Sequence, residues 1–304
     1  MKSIRKVTRK YIVGGNEKMY EQKKDYRVEQ DSIGTKDVPK SVYYGVQSLR
    51  AAENFHITGL NMHPEIINSL AYIKKAAAIT NCEVGILDKT IADAIVKACD
   101  EILKGKLHDN FIVDPIQGGA GTSLNMNANE VIANRAIEIL GGKKGDYSIV
   151  NPNDHVNCGQ STNDVIPTAG KMTSLRLLKN LKYELELLYE ALCRKSEEFD
   201  HVIKMGRTQM QDAVPIRLGQ EFGAYSVAIQ RDIRRMDKAM DEMRALNMGG
   251  TAVGTGINAD KNYLKRIVPN IAEISGIDFI QAFDLIDSTQ NLDSFVAVSG
   301  AIKA

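Results

Sequence analysis

The amino-acid sequence predicts a mainly α-helical protein, in which an N-terminal mixed helical domain is followed by part of a long-helix bundle. Between Asn163 and His201 there is no glycine after Gly170. Along this stretch five leucines recur at steps of three or four residues, as on one face of a helix: Leu178, Leu181, Leu185, Leu188 and Leu192. Aromatic residues make up 6% of the chain, tryptophan is absent and methionine reaches 11, a composition that favours helix packing over β-sandwiches.

The composition is that of an ordinary globular protein of 304 residues, with 39 Lys+Arg against 38 Asp+Glu. This near-neutral charge argues against nucleic-acid or membrane-surface binding, which needs a field of one sign. No window approaches the about 18–20 apolar residues of a membrane-spanning helix. The four scattered cysteines predict neither a disulfide framework nor a zinc site, and they favour a reducing, cytoplasmic location: Cys82, Cys99, Cys158 and Cys193.

The chain divides into three predicted parts: a disordered N-terminal extension over residues 1–24, an N-terminal domain over 25–160 and a central helical-bundle domain over 161–304. The first ten residues are basic, but the apolar stretch after them is too short for a signal peptide. Met19 is an alternative to Met1 as the true start of the protein.

Three helices are predicted in the N-terminal domain. Glycine and proline punctuate residues 27–59, which predicts turns and short extended pieces rather than a helix. Apolar residues at helical spacing then predict helices over residues 64–82, from an N-cap at Asp88 to a stop at Gly105, and over residues 125–140.

The second half is predicted to hold the long helices. After the leucine-rich helix, Pro215 opens another that runs to Asn247, and a third starts near Asp287. The last helix meets no stop signal before Ala304. Because apolar stripes need facing partners and only two long helices are available, we expect an incomplete bundle or one completed by other subunits.

Four short polar segments interrupt the helical pattern: residues 118–127, 151–164, 206–213 and 249–256. The last looks like a phosphate loop, but it lacks the GK[ST] ending and follows a helix instead of a strand, which argues against nucleotide binding. The other three place hydroxyls and amides at helix starts, where free backbone N–H groups favour an anion. A single such motif would be a simple N-cap at Ser161 or Thr162; three indicate a pocket that binds carboxylates through neutral donors.

The histidines do not predict a metal site, because none is spaced for shared ligation: His56, His63, His108, His155 and His201. For His155 we expect a structural hydrogen bond rather than proton transfer.

Four motifs resemble those of the aspartase/fumarase superfamily, and within it the aspartate ammonia-lyase family. They are YYGVQ at residues 43–47, the segments 118–127 and 151–164, and KMGRTQMQDAVPIRLGQ at 204–220. The resemblance covers nearly everything from Arg27 onward. Fumarases generally have histidine at the position of Gln209 and a Trp-Gly pair at the position of Tyr44-Gly45, so both positions favour the aspartase branch.

The resemblance also implies a set of substrate-binding residues. They are Arg50, which matches an arginine that pairs with a substrate carboxylate, and Thr122, Ser161, Thr162, Asn163, Thr208 and Gln209. It further suggests a secondary anion site at Asn151, Asn153 and Asp154, for which a capped turn is an equal alternative.

The activity implied is conversion of a small dicarboxylate, L-aspartate, to fumarate and ammonia, with no cofactor and no metal. The Cβ proton is removed and an aci-carboxylate dianion forms, which strong donors must stabilise. In the family four subunits form one helical core, and each active site draws its motifs from three chains.

One family motif is missing. The general base is a serine on a mobile loop with the signature GSSxMPGKxNP, and no such segment occurs in the sequence, so it is expected beyond Ala304. We therefore expect no catalytic base in this chain, which would be a C-terminally truncated copy, inactive as given. The alternatives are a fumarase-type lyase of the same superfamily and a non-catalytic helical interaction fragment.

Overall fold

The computed structural model describes residues 25–118 and 121–304. The extension predicted over residues 1–24 lies outside the described residues, as do Gly119 and Ala120 of the first glycine-bearing segment. The prediction of a mainly α-helical protein is confirmed. The helices are α1 (Val46–Asn54), α2 (Pro64–Glu83), α3 (Lys89–Leu103), α4 (Thr122–Ile139), α5 (Thr162–Glu198), α6 (Leu218–Glu242), α7 (Lys261–Ser275), α8 (Leu285–Gln290) and α9 (Asp293–Lys303).

Six short strands lie between the helices and form three two-stranded sheets in the described part of the chain. Two antiparallel hairpins are β1 (Tyr26–Asp31) with β2 (Gly34–Pro39) and β3 (Ile203–Thr208) with β4 (Gln211–Arg217). A short parallel pair is β5 (Ala245–Leu246) with β6 (Ile280–Gln281). None of the helices formed by the described residues is long and apolar enough to cross a membrane.

The three helices predicted after residue 59 in the N-terminal part are confirmed as α2, α3 and α4. Pro64 occupies the first turn of α2, and the Asp88 carboxylate caps α3 by accepting the backbone N–H groups of Thr90 and Ile91. The apolar faces of these helices meet, and their central side chains are fully buried: Leu70, Ile73, Ile95, Ile102 and Ile132. Each such side chain contributes about 1.5–3 kcal/mol by leaving water.

The prediction of no helix within residues 27–59 is wrong for α1. Two buried carboxylates hold the start of this helix, and they come from distant parts of the chain. Glu130 accepts the backbone N–H groups of Gly45, Gln47 and Ser48 at 2.9–3.0 Å, and Glu29 accepts that of Val46 at 2.9 Å. Because the capping groups are 17 to 85 residues away in sequence, the local pattern does not show them.

The leucine-rich helix α5 is confirmed and spans 37 residues, roughly 55 Å at 1.5 Å per residue. Its first half is buried, with Met172 at 0% and Leu178 at 4% exposed. Its second half packs on α6 but leaves Leu181 and Leu188 39% and 45% exposed. The predicted seam is therefore only partly covered within this chain.

Pro215 does not open a helix, contrary to the prediction. It lies in β4, and α6 begins at Leu218 and ends at Glu242 instead of Asn247. The hairpin reverses at Gln209 and Met210, whose φ angles are 51° and 63°. Two consecutive positive φ angles suit a tight hairpin turn, which is usually signalled by Asn-Gly or Gly-Gly. Neither residue here is glycine, so the turn was missed.

The C-terminal region also differs from the prediction. Helix α7 was not predicted, because Pro269 interrupts its pattern, yet Asp260 caps its start and Gly276 ends it with φ of 69°. It packs on α2 and buries Tyr263. The single helix expected from Asp287 is two helices, α8 and α9.

Candidate active site

A cavity of about 390 Å³ lies at the N-terminus of α5. Its walls come from three segments: the first turns of α4, residues 157–162 leading into α5, and residues 251–258 of the loop after β5. Seven of the eleven lining residues have polar side chains: Asn125, Asn157, Gln160, Ser161, Thr162, Thr251 and Asn258. Two of the predicted substrate-binding residues, Ser161 and Thr162, therefore share this cavity.

The start of α5 is a capping box. The Ser161 Oγ accepts the backbone N–H of Asn163 at 3.2 Å, and the Asp164 carboxylate accepts the N–H of Ser161 at 2.9 Å. Ser161 is thus the N-cap, as the simpler interpretation has it. Capping uses the oxygen of the hydroxyl as an acceptor, so the hydroxyl hydrogen can still donate to a ligand.

Asp164 also ties a distant loop to this helix start. Its second oxygen accepts the backbone N–H groups of Gly249 and Thr251 at 3.1 and 3.0 Å. Asn163 Nδ2 donates to the carbonyl of Ala252 at 2.7 Å. The fourth glycine-bearing segment is therefore a wall of the cavity, a role that its likeness to a phosphate loop did not predict.

Below the cavity lies Lys74, which sequence reasoning missed. Its side chain is 0% exposed, and its Nζ donates to Asn157 Oδ1 at 2.8 Å and Gln160 Oε1 at 2.9 Å. Burial lowers the pKa of Lys74 to about 7, against the opposing charge of Asp164. Lys74 is four residues after Leu70 and three before Ala77, both buried, so the helical period of α2 could have placed it inside.

Asn125 and Asp164 complete the buried polar layer around Lys74. Asn125 Nδ2 donates to Asn157 Oδ1 and to Thr162 Oγ1, each at 3.2 Å. Burial raises the pKa of Asp164 to about 6, although its hydrogen bonds from the backbone oppose that shift. The layer thus connects α2, α4 and the start of α5.

Thr122 and Arg50 lie outside the cavity lining. Thr122 is exposed on the first turn of α4, one turn before Asn125. The Arg50 Nε donates to Asp31 Oδ2 at 2.8 Å, and its NH2 donates to the carbonyl of Gly34 at 3.1 Å. The guanidinium already pairs with a carboxylate of its own chain, so substrate contact by Arg50 stays a prediction.

Thr208 and Gln209 are far from the cavity. They are exposed at the tip of the β3–β4 hairpin, beyond the C-terminal end of α5. The helix is roughly 55 Å long, and the ten residues from Glu198 to Thr208 can span at most roughly 34 Å, so at least roughly 20 Å separates this tip from Thr162. Within one chain, the predicted substrate-binding residues therefore form two groups that cannot contact the same small molecule.

The predicted secondary anion site has the geometry of a capped turn. Asn151 Oδ1 accepts the backbone N–H groups of Asn153 and Asp154 at 2.8 and 3.1 Å. His155 Nδ1 accepts the N–H of Asn151 at 3.0 Å, which is the structural hydrogen bond expected for this histidine. These contacts match the alternative interpretation, and anion binding here stays a prediction. Within residues 25–118 and 121–304, no group of three or more His, Cys, Asp or Glu side chains is arranged to hold a metal ion.

A protein-family model described as lyase matches residues 34–304. The chain belongs to this lyase family. It is 57% identical to the aspartate ammonia-lyase of Bacillus subtilis over 280 residues. The aligned region covers 92% of this chain and 59% of that protein. It is 50% identical to the aspartate ammonia-lyase of Helicobacter pylori, over 91% of this chain and 60% of that protein. The chain therefore spans about 60% of the length of these relatives.

Solved structures of lyases have the same fold. A fumarate lyase:delta crystallin protein from Brucella melitensis superposes with a TM-score of 0.89 at 46% identity, over 92% of this chain and 61% of that one. The class II fumarase of Schistosoma mansoni superposes with a TM-score of 0.87 at 35% identity, over 91% and 62%. The resemblance to the aspartase/fumarase superfamily is thus confirmed.

Proposed function

We propose that the complete protein is an aspartate ammonia-lyase, which converts L-aspartate to fumarate and ammonia. The observation that carries the proposal is the pairing of Ser161 and Thr162 at the positive end of a 37-residue helix, facing a cavity lined by neutral donors. Such a site suits a carboxylate, because the helix dipole and free hydroxyl hydrogens both favour negative charge. The names of the relatives supply the substrate.

The chemistry follows from what these donors can stabilise. Removal of the Cβ proton from aspartate places a second negative charge on the adjacent carboxylate. Donors that bind this dianion more tightly than the starting carboxylate lower the barrier. In our proposal Ser161, Thr162 and Asn163 supply them, with Thr122 at the start of the neighbouring helix.

We further propose that the protein assembles as a homotetramer and completes each site from several copies. Thr208 and Gln209 would reach the cavity of another copy, since they are too far from their own. Helix α5 supports this assembly, because Leu181 and Leu188 stay 39% and 45% exposed and would be covered by neighbouring helices. The serine base would come from residues outside the 304, so the chain alone should be inactive and prone to aggregate.

A fumarase-type reaction is the second candidate. The superposition on the class II fumarase of Schistosoma mansoni, at a TM-score of 0.87, favours it. Gln209 favours the aspartase reaction instead, because the resemblance places histidine there in fumarases.

The deciding experiment joins this chain to the remaining C-terminal part of the Bacillus subtilis relative and assays fumarate formation from L-aspartate and from malate. We expect aspartate to be the much better substrate. Equal or greater activity on malate would overturn the aspartase assignment. Thr162→Val in the same protein should reduce turnover by about 10²–10³-fold, as expected for loss of one donor to the transition state.

A further inference from the structure

Lys74 carries a charge that nothing in its immediate surroundings neutralises by contact. Its Nζ donates to two side-chain amides, of Asn157 and Gln160, and both residues line the cavity. In the described part of the chain no carboxylate forms an ion pair with it, whereas its neighbour Lys75 pairs with Asp100 at 2.6 Å. Charging a fully buried amine that contacts only neutral amides is costly, so a lysine at this position calls for an explanation beyond packing.

The groups that face Lys74 come from three helices. Cys99 of α3 and Asp164 of α5 act on it through space, and Asp164 favours its charged form. Asp164 is committed to the backbone N–H groups of Ser161, Gly249 and Thr251. Tyr263 of α7 is fully buried and close enough to Asp164 for that carboxylate to act on it through space.

The cavity above Lys74 contains no charge of its own. Among the described residues that line it, none has a charged side chain. The Lys74 amine directly contacts two lining residues, because its Nζ donates to the side-chain amides of Asn157 and Gln160. At such a short range and low local dielectric, its field acts strongly on any ion in the cavity.

We propose that Lys74 is the positioning residue that gives this neutral cavity its positive potential, and that a dicarboxylate anion binds there with uptake of a proton by Lys74. The inference rests on the proposed function, because it names the dicarboxylate as the ligand. Binding and protonation are reciprocal: an anion favours the charged lysine, and the charged lysine favours the anion. Lys74 would act through Asn157 and Gln160 and does not touch the ligand.

Isothermal titration with succinate, an unreactive dicarboxylate, tests this without catalysis in the completed protein, in which this chain is joined to the remaining C-terminal part of the Bacillus subtilis relative. At pH 8 Lys74 is mostly neutral, because its pKa is lowered to about 7, while Asp164 is ionised. Titration in two buffers of different ionisation enthalpy should therefore show uptake of about half a proton per succinate bound. The affinity should fall about tenfold between pH 6.5 and pH 9.

Two variants locate the effect. Lys74→Met should weaken succinate binding at pH 6.5 by about tenfold and abolish the proton uptake at pH 8. Lys75→Met, which removes the adjacent lysine of the same helix, should behave like the unaltered chain. If Lys74→Met does not fold, Lys74→Arg replaces it: arginine keeps its charge, so succinate should bind without proton uptake.

Three results would overturn the inference: no succinate binding to the unaltered chain at pH 6.5, binding at pH 8 without proton uptake, or unchanged affinity in a folded Lys74→Met. None of them decides the lyase activity, which the aspartate assay of the completed protein tests separately.

Discussion

Asp164 and Thr251 are 87 residues apart in sequence, yet the Asp164 carboxylate accepts the backbone N–H of Thr251 at 3.0 Å. The same carboxylate holds the N–H of Ser161 at the start of α5. One buried side chain thus joins the helix start that carries the predicted substrate donors to the loop that forms the opposite wall of the cavity. Together with the hydrogen bond from Asn163 Nδ2 to the carbonyl of Ala252, this contact holds the loop against α5.

Replacing Asp164 by alanine should release that loop. Three backbone N–H groups would lose their acceptor, at about 1–3 kcal/mol for each that stays buried without a partner. Hydrogen–deuterium exchange of residues 249–258 should become at least about tenfold faster. Asp164→Asn keeps one acceptor oxygen and should restore part of the protection.

The matched control is Asp88→Asn, which alters a cap that also accepts two backbone N–H groups but lies on α3, away from the cavity. It should leave exchange of the loop unchanged. Loop exchange at the normal rate in Asp164→Ala would show that Asp164 does not hold the wall.

Alanine at position 45 should destabilise the protein. A Cβ there would lie 2.5 Å from the Tyr147 hydroxyl and 2.7 Å from both the Glu130 and Glu29 carboxylates, closer than atoms can approach. We expect Gly45→Ala to lower the free energy of unfolding by about 1–3 kcal/mol, measured by urea denaturation.

Gly300→Ala provides the comparison, because no atom lies within 4 Å of its added Cβ in α9. This change should be neutral or stabilising by up to about 1 kcal/mol, since alanine favours helix. Equal loss in both variants would contradict the steric explanation for glycine at position 45.

Lys74 should make stability depend on pH in the alkaline range. Burial lowers its pKa from 10.5 to about 7 in the folded chain, so between these values the unfolded chain holds about one more proton. The free energy of unfolding is therefore unaffected by Lys74 above about pH 10.5, where the amine is neutral in both states, and it decreases as the pH falls toward 7. Urea denaturation at pH 7, 8 and 9 should show the free energy of unfolding rising with pH.

In Lys74→Met that rise should be absent, whereas Lys75→Met should keep it. A slope that survives in Lys74→Met would mean that another group titrates in this range.

The sequence was sufficient for the helices that carry their own signals. Pro64, the Asp88 cap and the apolar periods located α2, α3 and α4, and the leucine steps located α5. It was insufficient where distant residues decide the structure. Helix α1 depends on Glu130, and the turn at Gln209 and Met210 uses two non-glycine residues in a left-handed conformation.

The candidate site also combines features with a local sequence signal and features that depend on distant residues. Motifs identified Ser161 and Thr162 as cavity residues, because a helix start is a local feature. They could not show that Thr208 lies beyond the other end of a 37-residue helix, nor that the loop at 249–258 returns to its start. The predicted domain boundary between residues 160 and 161 stays a prediction.

We propose that each active site combines the start of α5 from one copy with the hairpin tip of another. Two variants of the completed protein test it: Thr162→Val and Thr208→Val, each expected to be nearly inactive on L-aspartate. Mixed, unfolded and reassembled together, they should form hybrid tetramers in which roughly a quarter of the sites contain both native threonines, so activity should return to roughly a quarter of normal. A mixture no more active than the separate variants would contradict the claim.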